Sequence, residues 1–263
     1  MMTSIARRWS LVPLVLGVLG STAPGPAVGG LVVYQHGQDD GVGPPPPPPN
    51  PVKTNEGLKA FTDAVGPFST ITFEGLPTGP YTNPPGTVPP SIALGQGATA
   101  MLSGVETSPP SAYVFGISSD HPSAVLGYNT TPGGSQFLRF VPLLGTAEAD
   151  LTIKFGSSVT AFGMTITGLG GRFSGQLYLH FSGVTQDLLI VGTPNGGSQF
   201  IGVSNLPTPV GSFTLRMLGT TNTERDIISI DDVRFAAVPE PGSAALLAGG
   251  LAVAAFAVRR RAA

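Results

Sequence analysis

The sequence predicts an all-β fold, an antiparallel β-sandwich of jelly-roll type, and three observations carry that reading. Apolar and polar residues alternate with period two in many short stretches, most cleanly in 150–155, where Leu151, Ile153 and Phe155 alternate with Thr152 and Lys154. The 37 glycines and 27 prolines, about a quarter of 263 residues, fall mainly between those stretches and read as turns. Helical spacing is confined to 53–65, where Leu58, Phe61 and Val65 fit one short helix.

Composition narrows the function classes. The chain has no cysteine, which rules out disulfides, thiolate metal sites and a cysteine nucleophile. A body of roughly 180 residues is large enough to be held by its own apolar core. Of 13 basic and 15 acidic residues, 8 and 14 lie within 37–238, so the body carries 8 − 14 = −6. No basic face for nucleic acid is indicated.

Taken in order, residues 1–27 read as a signal peptide. Arg7 and Arg8 supply the positive start, Leu11–Leu19 the apolar run, and the small residues up to Ala27 a cut for signal peptidase. Residues 28–54 read as a Pro-rich linker, with Pro44–Pro49 as a stiff polyproline II spacer. The sandwich body is expected over 55–236. Its candidate strands are 68–74, 99–105, 112–117, 136–141, 150–155, the Phe162/Met164/Ile166 and Leu177/Leu179/Phe181 alternations, Phe213/Leu215/Met217, and 226–235. Residues 75–97 read as a loop. Thr131–Leu138 (TPGGSQFL) echoes Thr193–Ile201 (TPNGGSQFI), each a Gly-rich turn feeding a strand that opens on Gln-Phe. Two copies are too few for a solenoid.

Residues 237–263 form a tripartite tail. Val238–Pro241 (VPEP) precedes an uncharged apolar run of 17 residues, 242–258, which is followed by Arg259, Arg260 and Arg261. The run suits a transmembrane helix near the lower length limit, and the arginines would stop on the cytoplasmic side, leaving the body outside. This tail resembles the PEP-CTERM sorting signal, the tag read by exosortases of Gram-negative bacteria that make extracellular polysaccharide. Pro239, Glu240 and Pro241 match its signature. The resemblance implies an inner-membrane intermediate, cleavage by an exosortase at or near Pro239–Pro241, and delivery to the cell surface or medium. A plain single-pass anchor preceded by a chance VPEP is the alternative.

Catalytic signatures are sparse. There is no GxSxG, HExxH or P-loop, and His36, His121 and His180 are scattered. Asp120–His121 would be half of a catalytic or metal unit without an evident partner. In 226–235, the parity that places Val233 and Phe235 in the core also turns Asp231 inward and sets Asp232 with Ile230 and Arg234. A buried carboxylate needs hydrogen bonds or a cation. The ISIDDVRF ending resembles the last strand of jelly-roll carbohydrate-binding and lectin-like modules. That resemblance implies a structural calcium held by Asp231 and a first-strand carboxylate, here Glu74 of ITFEG, provided the strand ends or bulges there. Otherwise Asp231 caps a loop or pairs with an arginine. The lone tryptophan, Trp9, lies in the signal peptide, so sugar stacking would fall to Tyr81, Tyr113, Tyr128 or Tyr178. The expected role is a non-enzymatic structural or weakly glycan-binding component of an exopolysaccharide or biofilm layer. A polysaccharide-active enzyme using Asp120, His121 or the Asp231 region is the alternative.

Overall fold

The computed structural model describes residues 31–40, 52–80, 91–103, 115–119, 127–140, 148–170, 176–192, 196–218 and 226–238. Along the chain these form β1 (Val32–Asp40), α1 (Val52–Val65), β2 (Ser69–Ile71), β3 (Gly79–Pro80), β4 (Ser91–Gly95), β5 (Ala98–Ser103) and β6 (Phe115–Ser118). There follow β7 (Phe137–Phe140), β8 (Glu148–Thr167), β9 (Gln176–Phe181), β10 (Leu188–Ile190), β11 (Gly197–Ser204), β12 (Val210–Leu218) and β13 (Ile228–Ala237). All pairings are antiparallel.

The 20-residue strand β8 is the spine. Its first half, 148–154, pairs with β12 on one side and β5 on the other, in the order β10-β9-β12-β8-β5-β4. Its second half, to Thr167, pairs with β13 and β11, and through them with β7, β6, β3, β2 and β1. The two alternating runs expected as separate strands are therefore one. Gly156, Ser157 and Ser158 between them are exposed and continue the strand instead of reversing it. Both β12 and β13 slip register at Val159, which marks where β8 passes from one half-sheet to the other. The expected sandwich is thus one continuous sheet folded along β8, not two separate sheets.

The inner faces of the two halves meet in a single apolar core. Phe162 of the second half stacks on Phe213 of β12 with ring centroids 4.6 Å apart and planes 4° apart, and meets Phe181 edge-on at 5.5 Å. Phe155 reaches Phe235 at 5.0 Å. All four alternations read from the sequence supply this core: Leu151/Ile153/Phe155, Phe162/Met164/Ile166, Leu177/Leu179/Phe181 and Phe213/Leu215/Met217.

The outer faces differ. That of the second half is covered by α1, whose Phe61 packs on Phe200, Tyr34, Ala161 and Ala236. A side chain at Gly202 would strike the Phe61 ring, so glycine there allows the helix to sit close. The outer face of the first half carries exposed or half-exposed polar side chains.

The expected linker is revised at both ends. Residues 32–40 form β1 along β11, and α1 begins at Val52. β1 hides in the sequence because it is an edge strand with a polar composition. Asp39 closes the unit by accepting from the first-turn amides of α1, Thr54 N at 2.8 Å and Lys53 N at 3.2 Å. The loop expected over 75–97 likewise contains β3 and β4.

Candidate functional site

The most elaborate polar arrangement lies on the outer face of the second half-sheet, where 127–136 folds over β8 and β13. β13 pairs Ile230 with Ile166 and Asp231 with Thr165, then slips register before Arg234. Asp232 sits in the bulge with a left-handed φ of 51°. The bulge corrects the parity expected from sequence. Asp231 shares the Thr165 face, while Val233 and Phe235 return to the core beyond the bulge. Asp231 is fully buried all the same, because the loop lies over it.

The loop is tied to both carboxylates singled out in the sequence. Asp231 Oδ2 accepts from Thr130 N at 2.6 Å, Thr131 N at 3.0 Å and Thr130 Oγ1 at 3.0 Å. Its Oδ1 accepts from Asp232 N at 2.9 Å. Thr131 Oγ1 donates to Asp232 Oδ1 at 2.8 Å, and Asp232 Oδ2 takes Arg234 Nη2 at 3.2 Å. At the other end, Glu74 Oε1 accepts from Ser135 N at 2.8 Å, Gln136 N at 2.9 Å and Asn129 Nδ2 at 2.9 Å. Glu74 reaches these groups because β2 stops at Ile71 and Phe73 takes a left-handed φ of 63°. A side chain at Gly134 would overlap the Glu74 carboxylate. Between the clamps, Tyr128 N donates to Thr167 Oγ1 at 2.9 Å, and Thr167 Oγ1 donates to Tyr128 O at 3.1 Å.

Burial dominates the electrostatics. Desolvation, joined by the adjacent Asp232 charge, pushes Asp231 up to about 7 against the pull of the Thr130 donors. Burial likewise raises Asp226 to about 6, partly offset by the Gly170 and Ile227 amides.

Glu74 and Asp231 therefore serve one loop, at its two ends. The donor set does not fit calcium. Asp231 Oδ2 faces backbone N–H groups, which put positive charge where an ion would need an oxygen. Among the described residues no group of three or more His, Cys, Asp or Glu gathers in a way that could hold a metal. The sequence signal for the clamp was Asn129-Thr130-Thr131-Pro132-Gly133-Gly134, a run of turn formers whose hydroxyls and amides face the carboxylates.

The remaining candidates are dispersed. His180 bonds Asp187 at 2.6 Å on the exposed face, where Arg216 pairs with Asp150 at 3.0 Å. The Tyr178 hydroxyl donates to Gln176. His36 lies on β1 opposite Phe200. Asp120, His121, Tyr81, Tyr113, Pro239, Glu240, Pro241, Arg259–Arg261, the signal peptide and the apolar run 242–258 lie outside the described residues. No described helix is long and apolar enough to cross a membrane.

The body's end is well defined. β13 runs to Ala237, and Val238 N still donates to Ser158 O at 3.0 Å, one residue before Pro239. The family model of the PEP-CTERM protein-sorting motif matches residues 237–261, so the match begins on the last residue of that strand. No curated protein matches the chain.

Among solved structures, the chain is similar to the K2 cleaved adhesin domain of Lys-gingipain at 16% identity and TM-score 0.36, covering 65% of this chain and 98% of that one. It is also similar to the enzymatically active domain of bacteriophage CBA120 tailspike protein 4 at 12% identity and TM-score 0.33, covering 54% and 19%. A third match is the catalytic unit of the GH87 alpha-1,3-glucanase of Streptomyces thermodiastaticus, at 13% and TM-score 0.28, covering 66% and 26%. Likenesses this weak assign no role to the chain. The assignment comes from the tail: this protein carries a PEP-CTERM sorting motif over residues 237–261, the signal of an exosortase substrate exported to the cell envelope or surface.

Proposed function

We propose that the chain is an extracellular structural component of an exopolysaccharide or biofilm layer, held at the inner membrane by 242–258 until an exosortase cuts at or near Pro239–Pro241. The observation that carries this reading is the junction. The sorting motif begins where β13 ends, so the cut separates a finished sandwich from its tail without removing a strand. The body is built for persistence, with an apolar core, Asp231 and Asp232 tied to the loop 127–136, and Asp226 held by the Gly170 and Ile227 amides. Contact with glycan would be weak, through surface hydroxyls and the half-buried Tyr178, since Tyr128 is buried, and no catalytic step is assigned to it.

Intact mass of protein from the native host tests this, with medium and membrane fractions kept apart. The expected result is loss of both termini, with the C-terminal cut near Pro239–Pro241 and any added mass reporting the attached group. A chain continuing through Ala263 in the membrane fraction would instead mark an ordinary anchored protein.

A further inference from the structure

An uncharged surface lies at the corner where β8 changes halves. Several segments meet there. Val238 N bonds Ser158 O, Leu206 N bonds Thr160 O, and Val210 pairs with Val159. The 95–97 turn packs against Gly156, and Gln96 Nε2 donates to Thr70 O at 2.8 Å. The segments forming this corner, 66–70, 95–98, 155–160, 205–211 and 236–238, contain no charged residue. Most of their residues are exposed, among them Ser157, Ser158, Gln96, Pro207 and Thr208. Exposed Phe68 precedes Ser69, which pairs with Phe235; exposed Val33 pairs with Val203, which pairs with Phe162. Phe235 in turn pairs with Phe162, so Phe68 and Val33 lie at one register level beside the corner. The charges closest to it in sequence are Lys154, then Arg234, which is paired with Asp232, and Glu240, then Asp63, which is paired with Lys59 on α1.

The chain leaves the sandwich through this corner. From Val238, fixed to Ser158, only Pro239, Glu240 and Pro241 precede the apolar run at Gly242. Four Cα steps span at most about 14 Å, and the polar zone of one bilayer leaflet is about 5–7 Å thick. If 242–258 is buried in lipid, as the proposed function requires, the corner cannot stand far from the headgroups.

We infer that this uncharged corner is a docking surface for the lipid headgroup region. The anchored body rests on the bilayer through it before cleavage, with Phe68 and Val33 seated at the interface and Lys154 near the phosphates. An apolar or uncharged surface meets that zone at little desolvation cost, whereas exposed carboxylates would be repelled by anionic lipid. This inference rests on the membrane reading of the tail and adds an orientation to it.

The chain has no cysteine, so a single label can be placed cleanly. The signal-processed chain with its tail intact would carry Ser157→Cys at the corner or, as control, Gln176→Cys at the far end of β9, each labelled with bimane. Both positions are exposed, and thermal unfolding should match the parent. In vesicles of phosphatidylethanolamine and phosphatidylglycerol containing headgroup-spin-labelled lipid, the Ser157 label should be quenched severalfold more than the Gln176 label. Equal quenching on chains that float with the vesicles would overturn the docking surface and leave the anchor standing. Failure to float would overturn the anchor, and the docking with it. Quenching at Ser157 that requires added exosortase would assign the corner to the enzyme, not to lipid.

Discussion

The two outer faces of this folded sheet use the same residue chemistry in opposite ways. On the second half, Asp231 is fully buried under 127–136 and its oxygens are filled by backbone amides and threonine hydroxyls. On the first half, Asp150 keeps 19% side-chain exposure and meets Arg216, a partner that water can largely replace. Cover makes the difference. A buried carboxylate forces the loop above it into one conformation, while an exposed ion pair decorates a strand that would hold without it. The comparison implies that stability and pH response reside in the covered face.

The largest expected effect follows directly. Asp231→Ala orphans Thr130 N and Thr131 N, and unsatisfied buried donors cost about 1–3 kcal/mol each. A net loss of about 2–3 kcal/mol is expected by urea denaturation, after allowing for water entering the vacated space. Hydrogen exchange should localise the loosening to 127–136 and leave β9 and β12 protected. A loss spread evenly over both halves would contradict the clamp.

The second effect is a pH slope. Asp231 at about 7 and Asp226 at about 6 in the folded chain stand above the unfolded value near 3.9. The native state then binds more protons than the unfolded state between roughly pH 4 and 7, so stability is fullest at low pH within that window and falls as pH rises through it. The urea midpoint should be higher at pH 5 than at pH 8. Asp231→Asn, which cannot titrate, should flatten part of that slope. A midpoint that climbs toward pH 8 would mean that the hydrogen bonds outweigh desolvation at both groups.

The same contrast explains what was legible in the sequence. Period-two alternation exposed the strands with one face in the core, such as 150–155 and 213–217, because burial on one face is what the pattern records. It did not expose β1, an edge strand whose partner β11 lies far along the chain, or β10, a three-residue edge strand hairpinned onto β9, nor the fusion of two runs into β8, since Gly156–Ser158 break the apolar alternation between them. The burial of Asp231 was foreseen, but its face was not. Parity counting assumes a regular strand, and one residue in the left-handed region at Asp232 undoes it. The loop over Asp231 was recognisable as turn chemistry, but the pairing of that turn with two carboxylates about 60 and 100 residues away in sequence is a tertiary fact.

The smallest expected effect sharpens the comparison from the exposed side. Arg216→Ala removes the partner of Asp150 and a weaker 3.9 Å approach to Asp187. Asp187 keeps His180 at 2.6 Å, and Asp150 keeps access to water. Exposed ion pairs contribute about 0–1 kcal/mol and are screened by salt. The variant should therefore unfold within about 1 kcal/mol of the parent at low ionic strength, and the gap should close in molar salt. Asp231→Ala, whose lost bonds are buried, should keep its full deficit under the same salt. If Arg216→Ala instead cost as much as Asp231→Ala and resisted salt, the first half's outer face would have to be covered in solution, and the division between a braced face and a solvated one would fail.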